Sequence, residues 1–128
     1  MDSEECDRAL DRLRLRGPDY SFSETLHQGR LYYGQTVLSI TGNPEGMLDA
    51  YHRSRSGRFD LIFNGEIYNH ESLHRQHLKS AGYHRQTGSD TETLVNLHEV
   101  AKPASVYDML RGMFAYVLYD NLRNTLTI

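Results

Sequence analysis

A chain of 128 residues, 38% hydrophobic and 24% charged, has the composition of one folded domain with a modest core rather than of a disordered segment. A formal net charge of −3 with no basic run points away from nucleic acid and anionic membrane surfaces as partners. No apolar stretch approaches a membrane span, the acidic start Met1–Cys6 is no secretory signal, and one cysteine excludes an internal disulfide; together these fit a cytoplasmic protein.

Ser3 followed by Glu4 and Glu5 reads as a helix start, because acidic side chains favour the positive end of the helix dipole. Cys6, Leu10 and Leu13 recur at helical spacing as an inner face, and Gly17-Pro18 cannot continue the helix, which is predicted over 4–15. Segment 30–40 is rich in aromatic and β-branched residues and reads as a strand; Thr41–Met47, with two glycines and a proline, reads as a loop. A second strand is expected over 58–63, with Phe59, Leu61 and Phe63 on one side. Asn64-Gly65 then breaks it. A plain hairpin turn is the alternative, but the pattern that follows is helical, which favours a strand-end loop carrying function.

That helix is predicted over 70–81, with Gly82 in the position after its C-cap. Ser89-Asp90-Thr91-Glu92 has the form of a capping box and opens a helix over 90–101, with Leu94, Leu97 and Ala101 inward and Pro103 as its stop. A helical turn near 105–110, a strand over 113–119, a turn at Asp120-Asn121 and a further strand from 124 complete the chain. Strands grouped apart from helices, with no internal repeat and no linker, indicate an α+β domain over 1–128.

Five short motifs stand out: Arg16-Gly17-Pro18-Asp19, Leu38-Ser39-Ile40, Asn64-Gly65-Glu66-Ile67-Tyr68-Asn69, Gly88-Ser89-Asp90-Thr91-Glu92, and Leu110-Arg111-Gly112-Met113-Phe114-Ala115. In this order and spacing they resemble the class II glutamine amidotransferase domain of the asparagine synthetases, from about Leu10 onward. The resemblance implies a four-layer αββα sandwich of the N-terminal-nucleophile hydrolase type, here incomplete, without its first strand and its C-terminal strands. It also implies an oxyanion hole from Asn64 and Gly65, substrate contacts from Glu66 and Asp90, and a site wall at Leu38 and Ile40.

In the resembled family a cysteine directly after the initiator methionine attacks glutamine, with its own amino group as base. Here residue 2 is Asp2, and Cys6 falls inside the first predicted helix with its face to the core, the setting of an inert thiol. The family's substrate-carboxylate arginine is replaced by Val37, which cannot form a charge-assisted bidentate pair, and the histidine before the first motif is replaced by Leu15. The β-lactam synthetases are similar in keeping the domain without the nucleophile.

The expectation is therefore a glutamine amidotransferase domain of an asparagine-synthetase-like enzyme that is inactive by itself; the alternative is a non-catalytic binding or scaffold domain docking on a partner synthetase. Expected partners are glutamine or a similar amino acid, and a synthetase domain or subunit. The resemblance implies that ATP and Mg are used by that separate domain; neither GxxxxGK[ST] nor GxGxxG occurs here, so no phosphate loop is visible. Open sheet edges imply possible self-association. His70, His74 and His77 share a helix face but lack the HExxH pattern, so a solvated face is expected and no metal site.

Overall fold

In the computed structural model, residues 3–26, 28–38 and 51–128 are described, and they fall into two compact units, Met1–Ala50 and Tyr51–Ile128. Both sheets are antiparallel and the architecture is α+β, as expected: β1-β2 in the first unit, β3-β4-β5-β6 in the second. The loop expected at Thr41–Met47 lies outside the described residues.

In the first unit α1 (Ser3–Arg12) packs on β2 (Leu31–Val37), which pairs with β1 (Tyr20–Leu26). The helix is held by the Tyr32 hydroxyl, which donates to Asp7 at 2.6 Å, and by Leu10, whose methyls lie where a side chain at Gly34 would go. It ends at Arg12, earlier than the sequence pattern implies, and Leu13 is 46% exposed rather than inward. The cause is Gly17. It is buried flat against the end of β2, where an added Cβ would sit 2.4 Å from the Val37 nitrogen, so the chain turns early to deliver it. Segment 20–26, unassigned from sequence, becomes a strand through seven register pairs with β2.

The second unit is built on β4 (Phe59–Ile67) and β5 (Gly112–Asp120), paired along their whole length from Phe59↔Asp120 to Ile67↔Gly112. Short β3 (Tyr51–Arg53) and β6 (Thr125–Thr127) flank them. Phe59, Leu61, Phe63 and Ile67 alternate onto one face and bury against α3 (Asp90–Val100), whose Leu94, Val95 and Leu97 are fully buried. Apolar burial of this kind is the main stabilising term, about 1.5–3 kcal/mol for each large side chain.

Asn64-Gly65 does not break the strand. β4 runs on to Ile67, with Asn64 opposite Ala115 and Gly65 opposite Phe114. Glycine is required because the strands approach closely there: at φ 132°, an added Cβ would lie 2.1 Å from the Met113 carbonyl oxygen. The residue type that reads as a turn from sequence serves a backbone contact instead.

After β4, α2 (His70–Leu73) continues into a π-helical turn, His74–Leu78, marked by the Lys79 N–H to His74 carbonyl bond of 2.9 Å. Five residues of regular α-helix would place Leu73 and Leu78 about 140° apart. The wider winding narrows that angle, and both enter the core. Gly82 ends the segment as predicted: Tyr83 N–H bonds the Leu78 carbonyl and Gly82 N–H bonds that of Lys79, at φ 80°. His70, His74 and His77 are half-buried, contrary to the solvated face expected; burial, then the charge of Arg85, holds His74 below the ordinary imidazole range.

Pro103 both stops α3 and occupies the first turn of α4 (Pro103–Met109), a longer helix than the turn expected there. The loop before β4 is tied to α3: Asn96 accepts from Arg55 N–H at 3.0 Å and Glu99 from Ser56 N–H at 3.0 Å. Arg58 grips Asp120 through its Nε and Nη2, the latter at 2.6 Å, and Asp120 also accepts from Leu122 and Arg123 N–H, shaping the turn into β6.

His98 is 4% exposed among Phe59, Tyr107 and Tyr116, with the Tyr116 hydroxyl 3.3 Å from Nε2. Burial pushes its pKa down from 6.5 to about 4. The unfolded chain therefore takes up this proton first, so the stabilisation is complete above pH 6.5 and is lost as pH falls towards 4. Unfolding free energy should fall by about 1 kcal/mol per pH unit between pH 6 and 5 through this group. Urea titrations of the chain and of His98→Phe at several pH values check this: the variant should have the shallower slope, and equal slopes would refute the assignment. Gly65→Ala should cost about 2 kcal/mol or more in the same assay.

Candidate functional site

Three of the motifs meet at one end of the β4–β5 ladder. Tyr68 N–H donates to the Arg111 carbonyl at 2.8 Å, and the Asn69 side chain accepts from Arg111 N–H at 3.0 Å and donates to the Met109 carbonyl at 2.9 Å. These bonds join segment 64–69 to segment 110–115. Asp90 joins the third motif: its Oδ2 accepts from Ile67 N–H at 2.8 Å while Oδ1 accepts from Thr91 N–H at 2.8 Å.

The ladder fixes which way each backbone group points. Arg58 and Tyr68, at the two ends, bond to the β5 side, so even-numbered residues of β4 face β5. Odd-numbered residues face the β3 edge, as the Ile67 bond to Asp90 shows. Gly65 N–H thus points to the same edge as Ile67 N–H, about 7 Å along the strand. Pairing with β3 reaches only Ile62. Asn64 and Glu66 are exposed, on the sheet face opposite the buried side chains. The arrangement therefore presents a backbone donor, a primary amide and two carboxylates around one strand end. Asp90 already bonds two backbone groups, but a carboxylate has about four acceptor positions, enough to take an ammonium as well.

Glu92 is a member of this assembly whose main role was not legible. It was read as the reciprocal partner in a capping box, and half of that holds: Ser89 Oγ accepts from Glu92 N–H at 3.0 Å. Its carboxylate reaches further back and accepts from the N–H groups of Gln86, Thr87 and Gly88 at 2.7, 2.8 and 2.9 Å. Burial by itself would raise its pKa; these bonds outweigh burial and hold it below the ordinary range. The buried carboxylate sets the loop that delivers Ser89 and Asp90. A glutamate four residues after Gly88 is a signal that fits this role only once the loop's path is known.

The other two motifs meet in the first unit. Asp19 N–H donates to the Val37 carbonyl at 3.1 Å, and Gly17 lies against the same residue. Leu38 follows directly and is 57% exposed. Ile40 lies outside the described residues. Cys6 lies inside α1, as read from sequence, but is half-buried rather than part of the core. Among the described residues no group of three or more His, Cys, Asp or Glu side chains is arranged to hold a metal ion.

Asp90→Ala should cost about 2–3 kcal/mol, because it leaves two backbone N–H groups of the junction without their carboxylate. Asp90→Asn, which keeps one acceptor oxygen, should cost less. Chemical denaturation of the three proteins checks the order, and an alanine variant as stable as the parent would rule out the carboxylate as the tie.

Comparison with known proteins places the whole chain in one family. Residues 1–128 match the family model of the glutamine amidotransferase domain. The chain is 36% identical over 118 residues to asparagine synthetase [glutamine-hydrolyzing] 1 of Lotus japonicus, covering 91% of this chain and 19% of that one. It is 39% identical over 109 residues to asparagine synthetase [glutamine-hydrolyzing] 3 of Arabidopsis thaliana, covering 85% and 18%. It is 31% identical over 129 residues to asparagine synthetase [glutamine-hydrolyzing] 3 of Bacillus subtilis (strain 168), covering 98% and 20%. The chain thus spans about a fifth of the length of the curated relatives it matches. With three of its motifs gathered at the end of one strand ladder and the family matched along its whole length, this chain belongs to the glutamine amidotransferase domain family.

Proposed function

We propose that the chain is the glutamine-site module of an asparagine-synthetase-like enzyme, and that the 128-residue polypeptide by itself does not hydrolyse glutamine. The observation that carries the first half is the junction of Asp90 with the end of β4, beside the edge to which Gly65 N–H points. In this reading Asn64 and Gly65 supply oxyanion donors, while Glu66 and Asp90 receive the substrate's ammonium. Leu38 and Ile40 form part of the wall. Such donors are worth about 3 kcal/mol of barrier each when a nucleophile attacks.

The second half rests on what the polypeptide offers as attacker. Its one thiol, Cys6, sits half-buried within a helix that packs on β2. Val37 stands where the resembled family has an arginine, so the substrate carboxylate lacks a charged partner, a loss worth on the order of 2–5 kcal/mol. These two positions also favour the second reading, a non-catalytic scaffold docking on a synthetase. In either case the sheet face carrying Asn64, Glu66 and Met113 is the surface on which the second sheet of an αββα sandwich would pack, and Met113 on it is 74% exposed. The edges β3 and β6 are where self-association would occur. ATP and Mg chemistry is assigned to a synthetase domain; no step of it is placed on these residues.

Ammonia release from glutamine by purified chain, with Cys6→Ala as control, tests the proposal. No release above background is expected from either protein. Release that vanishes in Cys6→Ala would make Cys6 the nucleophile and overturn the reading. If neither is active, adding an N-terminal Met-Cys-Gly strand together with Val37→Arg should confer glutaminase activity when the remaining site is intact, and continued inactivity of a folded variant would favour the scaffold reading.

A further inference from the structure

A second cleft lies at the other end of the β4–β5 ladder. It has a volume of about 340 Å3 and is bounded by the end of α3, by α4 and by the β5–β6 hairpin. Phe59 on its floor is five residues from Asn64, roughly 17 Å along the strand. It is therefore separate from the motif assembly, and nothing in the glutamine reaction uses it. A space of this size is at the lower end of the range for small-ligand sites.

Its chemistry is uneven in an informative way. The inner wall is aromatic: Phe59, the buried His98, and Tyr107, which stacks on Tyr116 and remains 41% exposed. Of the charged residues at the rim, Arg58 is taken by Asp120 through three contacts of 3.2 Å or less. Glu99 is occupied by Ser56 and by the Tyr83 hydroxyl. Lys102 and Arg123 remain, both exposed, and neither forms an ion pair among the described residues. The partners of Glu99 are neutral and leave its carboxylate charged, so Lys102 and Arg123 set against it leave the rim with one net positive charge beside a half-open tyrosine ring. Deeper in, His98 Nδ1 is buried without a hydrogen-bond partner. When Tyr116 donates to Nε2, Nδ1 carries the hydrogen, so this wall also holds an N–H for which the described residues supply no acceptor.

We propose that this cleft binds a small flat carboxylate, an aromatic acid whose ring lies against Tyr107 and whose carboxylate meets Lys102 and Arg123. Each requirement excludes a class of ligand. A neutral aromatic leaves the net positive charge of the rim unanswered, a short aliphatic acid leaves the tyrosine ring uncovered, and a cation adds to that positive charge.

The test is titration of the isotope-labelled 128-residue chain with benzoate, followed through the backbone amide signals of Thr125 and Thr127, which line the cleft. Benzyl alcohol and acetate serve as the ring without the charge and the charge without the ring. Saturable shifts are expected with benzoate and at least tenfold weaker binding with either control. Lys102→Ala/Arg123→Ala, two exposed positions whose replacement should leave the melting temperature unchanged, should weaken benzoate at least tenfold. The proposal is overturned if benzoate gives no saturable shift at these amides, if benzyl alcohol or acetate binds as tightly, or if the folded double variant retains the parent affinity.

Discussion

The pairing of β4 with β5 is the constraint from which the second unit follows. Nine residues of each strand are in register, and the pairing tolerates its tightest point only because residue 65 has no side chain. With that register fixed, Phe59, Leu61, Phe63 and Ile67 fall on one face and form the floor on which α3 lies. Asn64 and Glu66 fall on the other face and cannot join the core. One ladder thus separates the residues that stabilise the unit from Asn64 and Glu66, which stay exposed. A slip by a single residue would exchange the two sets.

The same ladder explains why the site is at a strand end rather than in a turn. Among the described residues β3 pairs with β4 only as far as Ile62, and the N–H groups of Gly65 and Ile67 point to that side beyond the pairing. Ile67 is satisfied by Asp90, which lies at the positive end of α3, where a carboxylate is favoured. Asp90 is placed in turn by the loop that Glu92 holds from inside the helix. A buried carboxylate with several N–H partners is costly to disturb, so the position of Asp90 is firmly set.

The opposite end of the ladder uses charge differently. Arg58, Asp120 and the turn to β6 form a closed set of bonds that neutralises itself. His98, Tyr107 and Tyr116 close the space below it with rings, and burial keeps the histidine neutral and the Tyr116 phenol protonated. The end that carries Asn64 and Glu66 is exposed and polar, whereas this end is aromatic, with Lys102 and Arg123 at its rim.

The sequence by itself determined the class of the protein and the identity of its motif residues. Capping of α3 by Ser89, the stop at Gly82, the turn at Asp120-Asn121 and the inward Leu94 and Leu97 were all legible, because helix ends and helical periodicity are set by neighbours within one or two turns. Three features depended on which backbone segment folds against them, distant in sequence for Gly65 and within a few residues for Glu92. Gly65 reads as a breaker until β5 lies beside it, and Tyr20–Leu26 reads as nothing in particular until β2 pairs with it. Glu92 reads as half of a capping box until the 86–88 backbone folds over its carboxylate. Tertiary structure alone decided these, because backbone pairing and close approach are satisfied by whichever chain segment arrives, and local sequence does not record which one that is.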